Sequence, residues 1–178
     1  KLDKIAPPTA LSLCAQLPVE AQPLEFAQAY KLARRHAGNF PQKSTAIVAM
    51  VALKADTETA RRAKQTLQRL LHAHGKKAAL ALTVRLGKTN NNRHRKKLIR
   101  WLQTLDPNQL PAATLGPLLV KIAKTAPLET ASAAVSLGSR LAPSKQVVSL
   151  LKTLAAKKGS KNADWRMLAA PGFGILQK

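Results

Sequence analysis

Hydrophobic residues recur along most of this chain at intervals of three and four positions, which is the spacing of one face of an α-helix. The clearest example lies between the capping signal at residues 56–58 and Gly75. Its apolar face consists of Ala63, Leu67, Leu70, Leu71 and His74. Its opposite face consists of Arg61, Arg62, Gln65, Gln68, Arg69 and His72. The pattern predicts an amphipathic helix with a packed side and a cationic side.

The same spacing predicts further helices over residues 24–37, 76–86 and 93–105. Residues 45–54 are apolar on almost every side, and their β-branched members make a strand the alternative; the helical neighbours favour a helix. Further helix onsets are marked by Pro111 or Pro117, by Pro127 with Glu129, and by Pro143. Proline suits a first helical turn because its missing N–H has no partner there.

Within the helix over residues 93–105, the side chains predicted to face inward are Leu98, Trp101, Leu102 and Leu105. Those predicted to share the outward arc are Arg93, Lys96, Lys97 and Arg100. The polar turn formed by residues 90–92 is expected to cap this helix.

Composition supports an all-α fold, since aromatic residues make up only 3% of the chain and alanine and leucine dominate the hydrophobic ones. We expect a compact bundle or a short stacked helical-hairpin array. Residues 1–23 contain four prolines and are expected to form an extended arm with at most one short helix. Residues 24–158 are expected to form the helical domain, and residues 159–178 an irregular C-terminal tail.

The single cysteine, Cys14, lies in an apolar run and is expected to be a small buried side chain. One cysteine excludes an intramolecular disulfide and a metal cage of thiolates. The longest apolar run, residues 46–53, is far shorter than the roughly 20 residues of a membrane span. We therefore expect no membrane-spanning segment.

Charge points to a polyanionic partner. Thirty Lys and Arg residues stand against eight Asp and Glu residues, which gives a net charge of +22. Residues 56–105 carry thirteen of these cations and two of the acids, a balance of +11. The repulsion within so positive a chain opposes compact folding unless a polyanion neutralises the charge, so nucleic acid is the expected partner.

The stretch GKTNNNRHRKKLIRW, residues 87–101, permits two interpretations. Gly87, Lys88 and Thr89 match the end of a nucleotide-binding P-loop, but the glycine required five positions before Gly87 is replaced by Leu82 in a helical pattern. The rest of the stretch is basic, and no acid lies between Glu58 and Asp106 to neutralise it. We therefore interpret it as a surface for phosphates rather than a nucleotide site.

The residues expected to contact nucleic acid are Arg61, Arg62, Arg69, Lys76, Lys77, Lys88, Arg93, Arg95, Lys96, Lys97 and Arg100. Trp101 is expected to belong to the core. Trp165 stands beside Arg166 in the predicted tail, where it would either stack on a base or fill a pocket of a protein neighbour.

Nothing in the sequence indicates catalysis. The acids are scattered singly, several at helix starts where capping explains them, and no nucleophile motif is present. His72 and His74 are two positions apart and project to different sides of a helix, without a carboxylate or thiolate nearby. We expect a non-enzyme that has no metal or other cofactor.

These observations favour a structural RNA-binding subunit of a large ribonucleoprotein, with an organellar, mitochondrial ribosome as the favoured setting. RNA shape would supply specificity, and the arm and the tail would contact neighbouring protein subunits. A DNA-binding accessory protein is the first alternative, although the spacing of a helix-turn-helix motif is missing. The second is a basic interaction protein with an acidic protein or membrane-surface partner.

Overall fold

The computed structural model describes residues 6–16, 23–53 and 58–141 of the chain. Within these ranges all regular structure is helical and there is no strand. The α-helices are α1 (Pro7–Cys14), α2 (Pro23–Arg35), α3 (Pro41–Leu53), α4 (Glu58–Lys88), α5 (Asn92–Gln103), α6 (Ala112–Thr125) and α7 (Leu128–Gly138). The predicted all-α class is thereby confirmed. The predicted helix onset at Pro143 and the predicted tail lie outside the described residues.

The chain divides into two compact units, with the boundary between Arg85 and Leu86. The first unit contains α1, α2, α3 and most of α4, and the second contains the end of α4 together with α5, α6 and α7. The division into residues 1–23, 24–158 and 159–178 was drawn from composition instead, and it stays a prediction.

Helix α1 is the short helix that the proline-rich N-terminal segment was expected to allow. It packs against α2 and α3 and buries Ala10, Leu11 and Cys14. Lys43 of α3 ties it down, because its Nζ atom donates hydrogen bonds of 2.9 Å to the Pro8 carbonyl and to the Ser12 hydroxyl. Cys14 is buried as predicted, and burial raises the pKa of its thiol. One face of α1 therefore forms part of the first unit's core.

Residues 41–53 form a helix rather than the alternative strand. Helix α3 begins four residues before the predicted segment, because Pro41 occupies the first helical position, where its fixed φ angle suits a helix. Every residue from 47 to 53 is buried. The near-continuous apolarity of this segment thus reflects a helix enclosed on most sides.

Helix α4 has the predicted amphipathic face, since Ala63, Leu67, Leu70 and Leu71 are all buried. Tyr30 of α2 supports this packing through a 2.9 Å hydrogen bond between its hydroxyl and that of Thr66. A kink at His74, whose φ and ψ angles are −134° and 35°, interrupts the helix one residue before the predicted end at Gly75. The second helical segment runs on to Lys88, two residues beyond the predicted helix over residues 76–86.

In the second unit, α7 packs against both α5 and α6. The side chains of Leu98, Ile99 and Leu102 are completely buried along α5. Trp101, which was also expected in the core, is partly buried. The centre of the packed face passes through Leu98, Leu102 and Ile99, and Trp101 lies at the edge of that face.

Prolines precede α6 and α7, and Arg140 joins the chain after α7 to the end of α5. Helix α6 follows Pro111, whereas Pro117 lies inside the helix, so the first of the two predicted onsets is the correct one. Helix α7 follows Pro127 and carries Glu129 in its first turn, as predicted. Beyond α7, the guanidinium of Arg140 donates hydrogen bonds to the carbonyls of Gln103 and Leu105.

Candidate nucleic-acid interface

Most of the predicted contact residues lie at the surface of α4 and α5. Six of them are exposed and have no ion-pair partner among the described residues. They are Arg69, Lys76, Lys77, Lys88, Arg93 and Arg100. The first three belong to the first unit and the last three to the second. Exposed cations without a carboxylate partner can neutralise phosphates, and this releases the counterions condensed on the nucleic acid.

Two predicted contacts at the start of α4 are compensated by an acid. Glu58 accepts hydrogen bonds from Arg61, at 2.7 and 2.9 Å, and from Arg62, at 2.8 Å. These bonds lower the pKa of Glu58 to about 2, and they raise the pKa of Arg61. A phosphate that approached either guanidinium would compete with this carboxylate, so the two arginines are weaker candidates than the uncompensated cations.

Beyond the kink, the exposed face of α4 is mixed rather than purely cationic. Leu80 and Val84 are 39% and 53% exposed, on the same side of the helix as Lys76 and Lys77. The lysines thus flank two exposed apolar side chains, which the sequence pattern did not single out.

Arg95 holds the turn before α5 and does not extend outward as a phosphate contact would. Its Nε atom donates to the Thr89 carbonyl at 2.8 Å, and its two terminal nitrogens donate to the side-chain oxygens of Asn92 and Asn90 at 3.4 and 3.3 Å. The guanidinium is therefore engaged by three acceptors of one turn. The structure assigns Arg95 a positioning role.

The asparagine run caps α5, as predicted. The side-chain oxygen of Asn91 accepts a 3.0 Å hydrogen bond from the backbone N–H of His94. Because Asn90 and Asn92 accept from Arg95, the side-chain oxygens of all three asparagines are used within the turn.

Lys96 faces α7 and not the outward arc to which it was assigned. Its Nζ atom lies 2.5 Å from Oε2 of Glu129. This hydrogen bond is the main cause of the lowered pKa of Glu129, and the charge of Arg100 makes a smaller contribution. Glu129 lies far from Lys96 in the sequence, so local charge counting did not reveal the pair.

The outward arc of α5 carries Arg93, Lys97 and Arg100, which lie within about 60° of one another around an ideal helix. Arg93 and Arg100 are exposed, and Lys97 is partly buried. Trp101 adjoins this arc, about 40° beyond Lys97. The cationic arc of α5 is therefore next to the partly buried indole of Trp101.

The P-loop interpretation fails at residues 82–88. Leu82 is buried within α4, which extends through Gly87 and Lys88. A P-loop requires a strand, a glycine-rich loop and then a helix. Here a helix ends where that loop would have to be, so Lys88 is an exposed lysine at a helix end.

Neither a metal site nor a membrane span is seen in the described ranges. No group of three or more His, Cys, Asp or Glu side chains there is arranged to hold a metal ion. Among the same residues, no helix combines the length and the apolarity needed to cross a bilayer.

Sequence reasoning missed two basic residues of α4. Lys64 is exposed between Arg61 and Gln68, where the helical periodicity already places it on the cationic side. Arg85 is partly buried, and burial lowers the pKa of its guanidinium. The sequence gives no signal for the second case, because its burial depends on packing.

Comparison of this chain with protein-family models, with curated proteins and with solved structures found no match. The chemistry of the candidate surface therefore rests on its own residues.

Proposed function

We propose that this protein binds RNA through the phosphate backbone, as a non-enzymatic structural subunit of a large ribonucleoprotein such as an organellar ribosome. The observation that carries the proposal is the set of exposed cations on α4 and α5 that form no ion pair with a described residue. Each of these can neutralise one phosphate and release the counterions condensed on it.

The overall charge supports the same partner. A chain with a net charge of +22 repels itself, and the described acids Glu58 and Glu129 pair with Arg61, Arg62 and Lys96. A polyanion that spreads over the remaining cations would relieve that repulsion. Backbone contacts of this kind position a protein on RNA without reading its bases.

The test uses two triple variants, one for each unit. The first is Arg69→Gln, Lys76→Gln and Lys77→Gln, and the second is Lys88→Gln, Arg93→Gln and Arg100→Gln. Arg95 and Lys96 are left intact because their side chains hold the turn and α7. Three lost contacts should flatten the slope of log K against log salt by about 2 and weaken binding roughly 100-fold near 0.1 M salt.

The measurement is a titration of labelled RNA and of a DNA duplex of equal length at several salt concentrations, with circular dichroism as the folding control. Lys88→Ala alone should weaken binding only about fivefold near 0.1 M salt, because it removes one contact among several. A flat salt response of the unmodified protein, or two triple variants that bind like it, would refute the proposal. Preference for the DNA duplex would support a DNA-binding accessory protein instead.

A further inference from the structure

Trp101 differs from the other large apolar side chains of α5 because it stays partly exposed. Leu98 and Leu102, its neighbours on the apolar side, are completely buried. The core of the second unit therefore does not enclose the whole indole.

The helix that packs beside α5 does not account for the position of this indole. Helix α7 contacts the flank of α5 that carries Lys96 and Gln103, through Glu129 and Ser136. On an ideal helix, Trp101 lies about 140–160° away from that flank. It adjoins the cationic arc instead.

The charges around the exposed part of the Trp101 indole favour a negatively charged ligand. Lys97 precedes Trp101 by one helical turn, Arg100 is its chain neighbour, and Arg93 lies about 12 Å further along the axis. The carboxylate of Glu129 is paired with Lys96, and the charge of Arg100 acts on it more weakly. A strand whose phosphates follow Arg93 and Arg100 would bring its bases beside the indole, provided that they are unpaired.

We propose that Trp101 stacks on an unpaired base of the bound nucleic acid, so that the preferred ligand is a single-stranded segment rather than a continuous duplex. In a duplex the bases stack on one another and are closed to a side chain, whereas every unpaired base offers an aromatic face. This inference rests on the proposed phosphate binding and adds to it the class of ligand and the residue that selects it.

The test follows the fluorescence of Trp101 in full-length protein that carries Trp165→Phe, which leaves Trp101 as the single tryptophan. The titrants are an unstructured uridine-rich RNA, the same RNA annealed to its complement, and inorganic polyphosphate, which has charge but no bases. Stacking should quench the emission with the single strand, and polyphosphate should leave it nearly unchanged.

Affinity provides the second measurement. In the Trp165→Phe background, Trp101→Leu should weaken single-strand binding roughly 5- to 100-fold, since stacking is lost. Affinity for duplex and polyphosphate and the salt slope should not change, because the phosphate contacts remain. Trp101→Phe keeps an aromatic face and should recover part of the loss, and thermal unfolding verifies that each variant is folded.

The outcomes separate the two proposals. If the triple charge variants weaken binding but Trp101→Leu has no effect, or weakens all three ligands equally, the stacking inference is wrong while the phosphate surface stands. If the parent protein binds none of the ligands, both proposals are overturned. Quenching by an added protein but not by RNA would also overturn the inference and indicate a protein partner.

Discussion

Lys96 and Glu129 form an ion pair that joins α5 to the first turn of α7, with 2.5 Å between Nζ and Oε2. The carboxylate is favoured at this position, because the N-terminal end of a helix carries partial positive charge. It also lowers the positive potential of the adjoining arc, where Arg100 contributes to the lowered pKa of Glu129. The pair thus joins two helices of the second unit, and we expect it to restrain the proposed binding of polyanions.

Removal of this carboxylate should strengthen polyanion binding. Glu129→Gln releases Lys96 and adds one cation to the surface, so the salt slope for single-stranded RNA should steepen by about 0.7 and affinity should rise about fivefold near 0.1 M salt. Stability should fall only slightly, because the carboxylate of Glu129 is exposed and screened by solvent. The matched control is Glu129→Gln with Lys96→Gln, in which the gain should disappear; an unchanged slope in the single variant would contradict the prediction.

Arg95 and Arg93 are two positions apart, but their substitution should affect different properties. Loss of Arg95 should lower stability, whereas loss of Arg93 should weaken RNA binding. Arg95 donates to three acceptors of the turn before α5, including the 2.8 Å bond to the Thr89 carbonyl, so Arg95→Gln should lower the free energy of unfolding by roughly 1–3 kcal/mol. Arg93 is exposed, and Arg93→Gln should change stability by less than about 0.5 kcal/mol while it weakens RNA binding. Denaturant unfolding and RNA titration check both. Equal effects of the two substitutions on stability would show that Arg95 does not hold the turn.

The sequence predicted the faces of α4 well and those of α5 less well, for a physical reason. Along α4, the buried Leu67 and the exposed Arg69 follow from helical periodicity alone. On α5, the orientation of Lys96 depends on its ion pair with Glu129, and that of Arg95 depends on hydrogen bonds to the turn before the helix. Helical periodicity does not predict such tertiary and loop contacts. Trp101 was expected to lie inward, and it is only partly buried because it lies at the edge of the packed face. Periodicity identifies a helix and its packed side, but not the partners at the margins of that side.

The buried leucines of α4 should dominate the stability of the first unit. Leu67, Leu70 and Leu71 are each at most 5% exposed, so replacement of any one by Ala should cost roughly 2–5 kcal/mol of the free energy of unfolding through lost burial and the cavity left behind. Gln68→Ala, on the exposed side of the same helix, is the matched control and should change little. Thermal unfolding measures the difference. Stability equal to that of the parent in all three leucine variants would mean that this face is not packed.

Two buried hydroxyls on α3 offer a route to greater stability. The side-chain oxygens of Ser44 and Thr45 are buried and have no hydrogen-bond partner among the described residues. Thr45→Val removes an unsatisfied polar atom with little change of shape, and should raise the free energy of unfolding by about 1 kcal/mol. The control is Thr83→Val, because the Thr83 hydroxyl donates a 2.8 Å hydrogen bond to the Ala79 carbonyl and its loss should bring no gain. Equal effects of the two substitutions would imply that the Thr45 hydroxyl is satisfied in solution.

The carboxylate of Glu58 gives the start of α4 a defined pH dependence. Hydrogen bonds from Arg61 and Arg62 lower its pKa from 4.5 to about 2. A group whose pKa is lower in the folded state stabilises the fold above its unfolded-state pKa, and this stabilisation is lost as the pH falls toward the folded-state value. The contribution of Glu58 should therefore be complete above about pH 5 and should vanish near pH 2.

Glu58→Gln isolates that contribution from the other carboxylates, which titrate in both proteins. The melting temperature of the variant should lie below that of the parent by a small, constant amount from pH 5 to pH 7, because the pair is exposed and screened by solvent. The difference should shrink steadily from pH 4.5 to pH 2. In a protein with Arg61→Gln and Arg62→Gln, the pKa of Glu58 should rise toward 4.5, and Glu58→Gln should then lower the melting temperature much less at any pH. A difference between parent and variant that persisted undiminished at pH 2 would show that Glu58 stabilises α4 by some means other than its charge.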